Sequence, residues 1–251
     1  MTVESSFTWL RRGTVRVRVR ADLAGTLGSW LLGPTLELSG GAVPLRGGRG
    51  GAYRVRRQGA PDLVVRRYRR GGAVGRIVTE TYVGTYPRPF RELAITVEAA
   101  ARGVPTTEVI AARVQGRFVY GGEIATIELP GARPLLEALA EHTDDATRLR
   151  LVEIAGHAVG TMHRAGVHHV DLNLGNILAH PPYRGHEASV IDLDRARLSP
   201  GMVPEASRRR SLQRLRRSLH KLDADGRMVG DELVTRFRRA YGEAAGTPCV
   251  C

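Results

Sequence analysis

The stretch His169-Val170-Asp171-Leu172-Asn173-Leu174-Gly175-Asn176 is followed along the chain by Ile191-Asp192-Leu193-Asp194. An aspartate, an asparagine five residues later and a second aspartate sixteen residues after that form one spaced set of oxygen-bearing side chains. Phosphoryl-transfer sites use such a set to orient a substrate hydroxyl and to hold Mg2+ on a nucleotide. The stretch therefore predicts a phosphoryl-transfer site on a loop between a helix and short strands.

Length and composition allow one large domain or two lobes. The chain has 251 residues, of which 42% are hydrophobic, so a sizeable core can form. No apolar run reaches the roughly 18–20 residues that span a bilayer, and the start of the chain does not resemble a secretory signal. The two cysteines, Cys249 and Cys251, lack partners for a zinc site and are expected to be free thiols in a reducing compartment.

The net charge is +13, and the only lysine is Lys221, so nearly all the positive charge is carried by arginine. Arginine makes planar, bidentate contacts with phosphate and carboxylate groups. We therefore expect an anionic partner: nucleic acid, an anionic membrane or a phosphorylated acidic molecule. A nucleic-acid binder would leave the Asp171 spacing unexplained, so no specific nucleic acid is predicted.

The first half of the chain is rich in predicted strands. Valines and arginines alternate from Thr14 to Arg20, which predicts a half-buried strand. Ala52–Arg57 and Asp62–Tyr68 are predicted strands on either side of a turn. A helix is predicted from near Pro89 to Arg102, and a hairpin formed by 118–120 and 123–129 is predicted around Gly121-Gly122.

The second half is predicted to be helical. A helix capped by Asp144 or a neighbouring residue ends at Gly166, short strands lie at Ile177-Leu178 and Val190-Ile191, and Ser207–Leu222 is the last strong helix. The predicted fold is therefore α+β and two-lobed. Residues 1–129 form a β-rich N-lobe with one helix, and residues 130–251 form a reduced helical C-lobe.

This order of elements resembles the protein-kinase-like fold, and more narrowly the bacterial lipopolysaccharide-core kinases. The resemblance covers about residues 46 to 222. Its motifs are Gly48-Arg49-Gly50, Arg66-Arg67-Tyr68-Arg69-Arg70-Gly71-Gly72, Phe90-Arg91-Glu92-Leu93, Gly103-Val104-Pro105, His169 to Asn173, Ile191 to Arg195, and Arg214-Leu215-Arg216-Arg217-Ser218-Leu219. The Tyr-x-Arg-Gly-Gly stretch and the Arg-Leu-x-Arg-Ser-Leu helix narrow the resemblance to this family.

The resemblance implies a use of ATP and Mg2+. Asp171 would be the catalytic aspartate, and Asn176 and Asp192 would be the Mg2+ ligands. Backbone amides near Gly48, Arg49 and Gly50 would approach the phosphates of ATP. Asp194 has two open roles, which are a second metal ligand or a partner of Arg195.

Two positions depart from the protein-kinase pattern. Arg66 stands where those enzymes carry a phosphate-binding lysine; its expected partner is Glu92, with Glu98 as the second choice. Asn173 stands where many carry a lysine that touches the γ-phosphate, and Arg195 and Arg197 are candidates for supplying that charge. Glu128 lies where backbone groups would meet adenine.

Only about sixty residues follow Asp192, which favours a small or lipid-linked acceptor over a polypeptide. The resemblance implies phosphorylation of 3-deoxy-D-manno-octulosonic acid (Kdo) at its 4-OH, on a Kdo-lipid A precursor. It also implies peripheral contact with the anionic cytoplasmic leaflet of the inner membrane; no protein partner is predicted. Two alternatives stay open: a related kinase acting on a heptose, an aminoglycoside or protein, and a pseudokinase that binds nucleotide or membrane.

Overall fold

The computed structural model describes residues 6–34, 41–45, 51–68, 82–83, 86–117, 119–182, 187–223 and 229–250. The chain divides into two compact units: residues 1–97 with 108–128, and residues 98–107 with 129–251. The segment 98–107 thus belongs with the second unit, although it precedes the predicted boundary at residue 129. The assignment of the predicted lobes to nucleotide binding and catalysis stays a prediction.

The first unit is built on one antiparallel sheet. Its elements are β1 (Phe7–Arg12), β2 (Val15–Arg20), α1 (Ala24–Leu31), β3 (Val43–Pro44), β4 (Ala52–Val55), β5 (Leu63–Arg67), β6 (Tyr82–Val83), the start of α2 (Arg88–Ala101), β7 (Val109–Gly116) and β8 (Val119–Ile127). In the described residues the strands lie in the order β1-β2-β7-β8-β5-β4-β3, and β6 pairs with β8.

Helices cover both faces of this sheet. On one face the valines of β2 pack against Leu27 and Leu31 of α1, as the alternating pattern predicts. On the other face Phe90 and Leu93 of α2 pack against the central strands. All residues from Val109 to Val114 are buried, because β7 lies in the middle of the sheet with a helix on each side. This arrangement fixes α2, which carries Glu92, against β5, which carries Arg66.

The predicted hairpin around Gly121-Gly122 is wrong. Residues 119–127 form one continuous strand, β8, which pairs with β7, and the chain reverses after Gly116 at a φ of 108°. Gly122 is needed for close packing: a Cβ placed there would lie 2.4 Å from Pro89 Cγ. Two consecutive glycines therefore marked a tight helix contact in mid-strand, where a turn was expected.

The second unit is mainly helical. It contains the end of α2, β9 (Arg133–Pro134), α3 (Leu135–Glu141), α4 (Asp145–Arg164), β10 (Val167–His168), β11 (Ile177–Ala179), β12 (Ala188–Val190), β13 (Arg197–Leu198), α5 (Glu205–Leu222) and α6 (Asp231–Ala245). The strands form two small antiparallel groups, β12-β11-β9 and β10-β13. The predicted short strands on either side of the 180–187 loop are confirmed as the hairpin β11–β12.

The long helix before the Asp171 loop is confirmed. The Asp144 side chain accepts a hydrogen bond from the Thr147 N–H at 2.8 Å, and the helix ends before Gly166, which has a φ of 77°. Helix α5 is also confirmed, but it is not the last strong helix, because α6 follows and packs against α4.

Cys249 is disulfide-bonded, so the expectation of a free thiol is wrong for this residue; Cys251 lies outside the described residues. Within the described part of the chain, no helix combines the length and the apolar character that a membrane crossing requires.

Candidate active site

The loop that joins β10 to β11 is anchored by His169, whose ring is buried. Its Nε2 lies 3.0 Å from the Ile191 carbonyl oxygen, and its Nδ1 lies 3.2 Å from the Asp171 backbone nitrogen. A carbonyl can only accept and an amide N–H can only donate, so the ring is neutral with its proton on Nε2. Burial lowers the pKa of His169 and favours this neutral form. His169 thereby ties the Asp171 loop to the residue that precedes Asp192.

Two asparagines hold the backbone at Asp171. Asn173 Nδ2 donates to the Asp171 carbonyl oxygen at 2.8 Å, and Asn176 Nδ2 donates to the same oxygen at 3.2 Å. The Asn173 Oδ1 atom in turn accepts the Gly175 N–H at 2.9 Å. Asn173 occupies the position at which many protein kinases have a lysine. Here its side chain stabilises the loop by hydrogen-bonding to the backbone of Asp171 and of Gly175.

Asn176 and Asp192 lie at the same end of the β11–β12 hairpin. Ile177 is paired with Val190 at the end of the hairpin. Just beyond this pair, the Ile191 N–H donates to the Asn176 carbonyl oxygen at 3.0 Å. Asp192 follows directly, with a φ of 64° that is rare for a residue other than glycine. Backbone conformations of this kind cluster at functional sites, where the surrounding structure enforces them.

These side chains fit a Mg2+ ion bound to a nucleotide. Because the Asn176 amide nitrogen is used by Asp171, its Oδ1 is the atom available to a cation, and Asp192 adds a carboxylate. Mg2+ is commonly held by one or two such protein ligands, with water and phosphate oxygens completing its shell. Over the described ranges, no group of three or more His, Cys, Asp or Glu side chains forms a metal site of the all-protein kind.

Two arginines face the Asp171 carboxylate. Arg195 Nη1 lies 2.8 Å from Oδ2, and Arg214 Nη1 lies 3.5 Å from Oδ1. The Asp171 side chain is 39% exposed, so a substrate hydroxyl can reach it. Arg195 was expected either to supply positive charge near the site or to pair with Asp194. In the structure it contacts the candidate catalytic residue Asp171, and Asp194 is buried.

Sequence reasoning missed the contact of Arg214 with Asp171. Helix α5, which carries Arg214, contacts the Asp171 loop through two serines. Ser211 Oγ donates to the His169 carbonyl oxygen at 3.1 Å, and Ser218 Oγ accepts the Leu174 N–H at 3.2 Å. Ser211, Arg214 and Ser218 are spaced at i, i+3 and i+7, which places them on one helical face. This polar stripe was the available signal within a helix otherwise marked by leucines and arginines.

In the first unit, Arg66 pairs with Glu92. Arg66 Nη2 lies 2.6 Å from the Glu92 carboxylate, and Tyr68 donates its hydroxyl to the same carboxylate. Glu92 is only 5% exposed, so this ion pair compensates a buried negative charge. The second choice of partner, Glu98, pairs with Arg102.

The structure describes only some of the other residues that were predicted to contact the nucleotide. Gly48, Arg49 and Gly50 lie outside the described residues. The Glu128 backbone N–H donates to the Asp62 carbonyl oxygen at 2.8 Å, and its carboxylate pairs with Arg54 at 2.5 Å. The Glu128 N–H, which was expected near adenine, is therefore engaged by Asp62.

The sequence and the fold both match known proteins. The sequence model of the lipopolysaccharide kinase (Kdo/WaaP) family matches residues 40–241. The 3-deoxy-D-manno-octulosonic acid kinase of Xanthomonas axonopodis pv. citri (strain 306) is 35% identical over 208 residues, which cover 80% of this chain and 78% of that protein. The protein of the same description from Vibrio cholerae serotype O1 (strain ATCC 39315 / El Tor Inaba N16961) is 31% identical over 178 residues, covering 69% and 72%.

A solved structure described as WaaP in complex with acyl carrier protein has a similar fold. Its TM-score is 0.51 at 24% sequence identity, and the match covers 80% of this chain and 78% of that one. The predicted α+β, kinase-like fold is therefore confirmed. Because the family model matches most of its length, the chain belongs to the lipopolysaccharide kinase (Kdo/WaaP) family and is a phosphotransferase that acts on a hydroxyl acceptor.

Proposed function

We propose that this chain transfers the γ-phosphoryl group of ATP to the 4-OH of lipid-linked Kdo during synthesis of the lipopolysaccharide inner core. The observation that supports the proposal is a short network of hydrogen bonds that links Asp171 to Asn176 and to the segment of Asp192. The Asn176 side chain donates to the Asp171 carbonyl oxygen, and the His169 ring joins the Asp171 N–H to the Ile191 carbonyl oxygen. The relatives described as Kdo kinases supply the acceptor class.

In this proposal Asp171 orients the acceptor. Its carboxylate accepts a hydrogen bond from the sugar hydroxyl and takes the proton as the oxygen bonds to the γ-phosphorus, while the bond from that phosphorus to ADP breaks. Asn176 and Asp192 hold Mg2+, which neutralises charge on the phosphate oxygens when it is bound. Arg195, whose Nη1 lies 2.8 Å from Asp171 Oδ2, places a positive charge beside the carboxylate that orients the acceptor.

Nucleotide binding is assigned to three sets of groups in the first unit. Arg66, fixed by Glu92, contacts phosphate oxygens in place of a lysine, and its planar guanidinium suits them. Gly48, Arg49 and Gly50 bring backbone amides to the phosphates, and the Glu128 carbonyl accepts from the adenine amino group.

We further propose peripheral contact with an anionic membrane, since the acceptor is lipid-linked. Exposed arginines on α5 support this contact, namely Arg209, Arg210, Arg216 and Arg217. Each basic residue near an anionic surface contributes about 1 kcal/mol. Arg208 of the same run is buried and takes no part. Sedimentation with anionic and with neutral vesicles tests the contact: salt-sensitive binding to the anionic vesicles alone is expected, and equal binding to both contradicts it.

Phosphate transfer tests the proposed activity. Purified protein with Mg2+ and labelled ATP is expected to label a Kdo-lipid A precursor in detergent micelles, and not the same lipid without Kdo. Asp171→Ala is expected to lower kcat by roughly 10²–10⁴. Labelling of a heptose, an aminoglycoside or a protein in preference to Kdo would contradict the acceptor, and ATP binding without any transfer would favour a pseudokinase. NMR of the product identifies the phosphorylated hydroxyl.

A further inference from the structure

Two guanidinium groups from different elements converge on one carboxylate at the candidate active site. Arg195 follows the Asp192 segment, and Arg214 lies on α5; they contact opposite oxygens of Asp171. Two positive charges thus face one negative charge.

Both arginines are accessible. The side chains of Arg195 and Arg214 are 60% and 48% exposed, so their ion pairs with Asp171 contribute only about 0–1 kcal/mol to folding. Each contacts Asp171 through Nη1, and a guanidinium carries five N–H donors in a planar fork. The remaining donors can bind a carboxylate in the bidentate manner that arginine favours.

The position of Arg214 is fixed by its helix. Ser211, one turn before it, and Ser218, one turn after it, hydrogen-bond to the backbone of the Asp171 loop. Arg214 is therefore presented to the loop by a docked helical face, while Arg217, on the same helix, is exposed without a contact to Asp171 among the described residues.

We propose that Arg195 and Arg214 bind the carboxylate of the acceptor sugar while Asp171 receives its hydroxyl. This inference rests on the proposed function and names the group by which the acceptor is selected. An acidic sugar such as Kdo carries a carboxylate and a reactive hydroxyl on one ring, so both can contact a cluster built on one aspartate and two arginines. A neutral sugar lacks the anion and forms no ion pair with the two guanidinium groups, which lowers its affinity relative to that of an acidic sugar.

The competing ligand of the same chemistry is the phosphate chain of ATP. The two sources of the anion are distinguished by which substrate's KM changes. Binding to the acceptor raises the acceptor KM and leaves the KM for ATP unchanged; binding to the nucleotide does the reverse.

The test compares two acceptors with four proteins. The acceptors are the Kdo-lipid A precursor and its carboxamide analogue, in which the carboxylate is neutral. The proteins are wild type, Arg195→Ala, Arg214→Ala and Arg150→Ala; Arg150 is an exposed arginine of α4 and serves as the charge-matched control. Circular dichroism and ATP titration of each variant report on folding and nucleotide binding.

Wild type and Arg150→Ala are expected to prefer the acid over the amide by roughly ten- to hundredfold in kcat/KM, the range for a charge-assisted contact. In Arg195→Ala and Arg214→Ala, kcat/KM is expected to fall for the acid and to stay unchanged for the amide, so that most of the preference is lost. The KM for ATP is expected to stay unchanged. If either alanine variant does not fold, Arg195→Gln or Arg214→Gln takes its place.

Equal use of acid and amide by wild type would overturn the inference and leave the proposed function standing. A rise in the KM for ATP in either variant, with the acid preference intact, would overturn it for that arginine. No transfer to either acceptor by wild type would overturn the proposed function, and this inference with it.

Discussion

Arg66 combines a structural and a functional role in one side chain. The Glu92 carboxylate is buried, and its charge is balanced by Arg66 and by the Tyr68 hydroxyl. A buried carboxylate left without its cation is costly, so loss of Arg66 disturbs folding as well as any contact with phosphate. A simple alanine variant cannot separate these two effects.

A double variant separates them. Arg66→Ala is expected to lower the free energy of unfolding by roughly 1–3 kcal/mol, because the buried Glu92 carboxylate loses the cation that it pairs with. Arg66→Met combined with Glu92→Leu removes both charges and is expected to recover most of that stability, since apolar replacements of a buried ion pair are often neutral. The double variant is nevertheless expected to bind ATP weakly. Urea unfolding and ATP titration provide the two measurements, and wild-type ATP affinity in the double variant would remove Arg66 from the nucleotide site.

At the scale of elements, local pattern predicted the structure wherever an element has one buried face. The alternation from Thr14 to Arg20 and the cap at Asp144 both predicted their elements correctly. Strand β7 was missed because both of its faces are covered, so its residues show no period of two. Gly122 was read as a turn because the sequence does not show that Pro89, thirty-three residues earlier, packs against it.

Helices α4 and α6 approach closely through small residues. A Cβ on Gly160 would lie 2.6 Å from the Tyr241 carbonyl oxygen and 2.9 Å from Ala244 Cβ. Gly160→Ala is therefore expected to force the helices apart and to lower the free energy of unfolding by about 1–3 kcal/mol. The control is Gly242→Ala in α6, where the new Cβ meets ordinary contact distances and is expected to be neutral or stabilising by up to about 1 kcal/mol. Thermal unfolding of both variants checks the contact, and equal stability of the two would contradict it.

At the scale of the whole molecule, the charge predicted an anionic partner, and the spacing of Asp171, Asn176 and Asp192 predicted the class of reaction. Each of these signals is carried by composition or by a short segment. The contact between Arg214 and Asp171 joins positions forty-three residues apart and depends on the packing of α5 against the loop. A single sequence contains no record of such a pairing, so only the structure could reveal it.

Buried histidines make the stability of the molecule sensitive to acid. Burial lowers the pKa of His163 to about 3, and its Nδ1 lies 2.9 Å from the Tyr241 hydroxyl, near the buried Arg208. The unfolded chain takes up a proton near pH 6.5 and the folded chain does not. Stability is therefore complete above about pH 6.5 and falls as the pH drops toward 3, by up to about 1.4 kcal/mol per pH unit for this residue.

His163→Phe is expected to reduce that slope between about pH 6 and 4, and the exposed His220→Ala is expected to leave it unchanged. Urea unfolding at a series of pH values measures both slopes. An identical slope in wild type and His163→Phe would show that His163 is not a buried neutral base.

The central claim is that Asp171 acts on the acceptor while Asn176 and Asp192 hold the metal of the nucleotide. Mg2+-dependent ATP binding and single-turnover phosphate transfer, measured together on Asp171→Asn and Asp192→Asn, test it most directly. We expect Asp171→Asn to bind Mg2+-ATP as wild type does and to transfer phosphate at least about a hundredfold more slowly. We expect Asp192→Asn to lose the Mg2+-dependent part of ATP binding. Wild-type transfer by Asp171→Asn, or unchanged Mg2+-dependent binding by Asp192→Asn, would contradict the account.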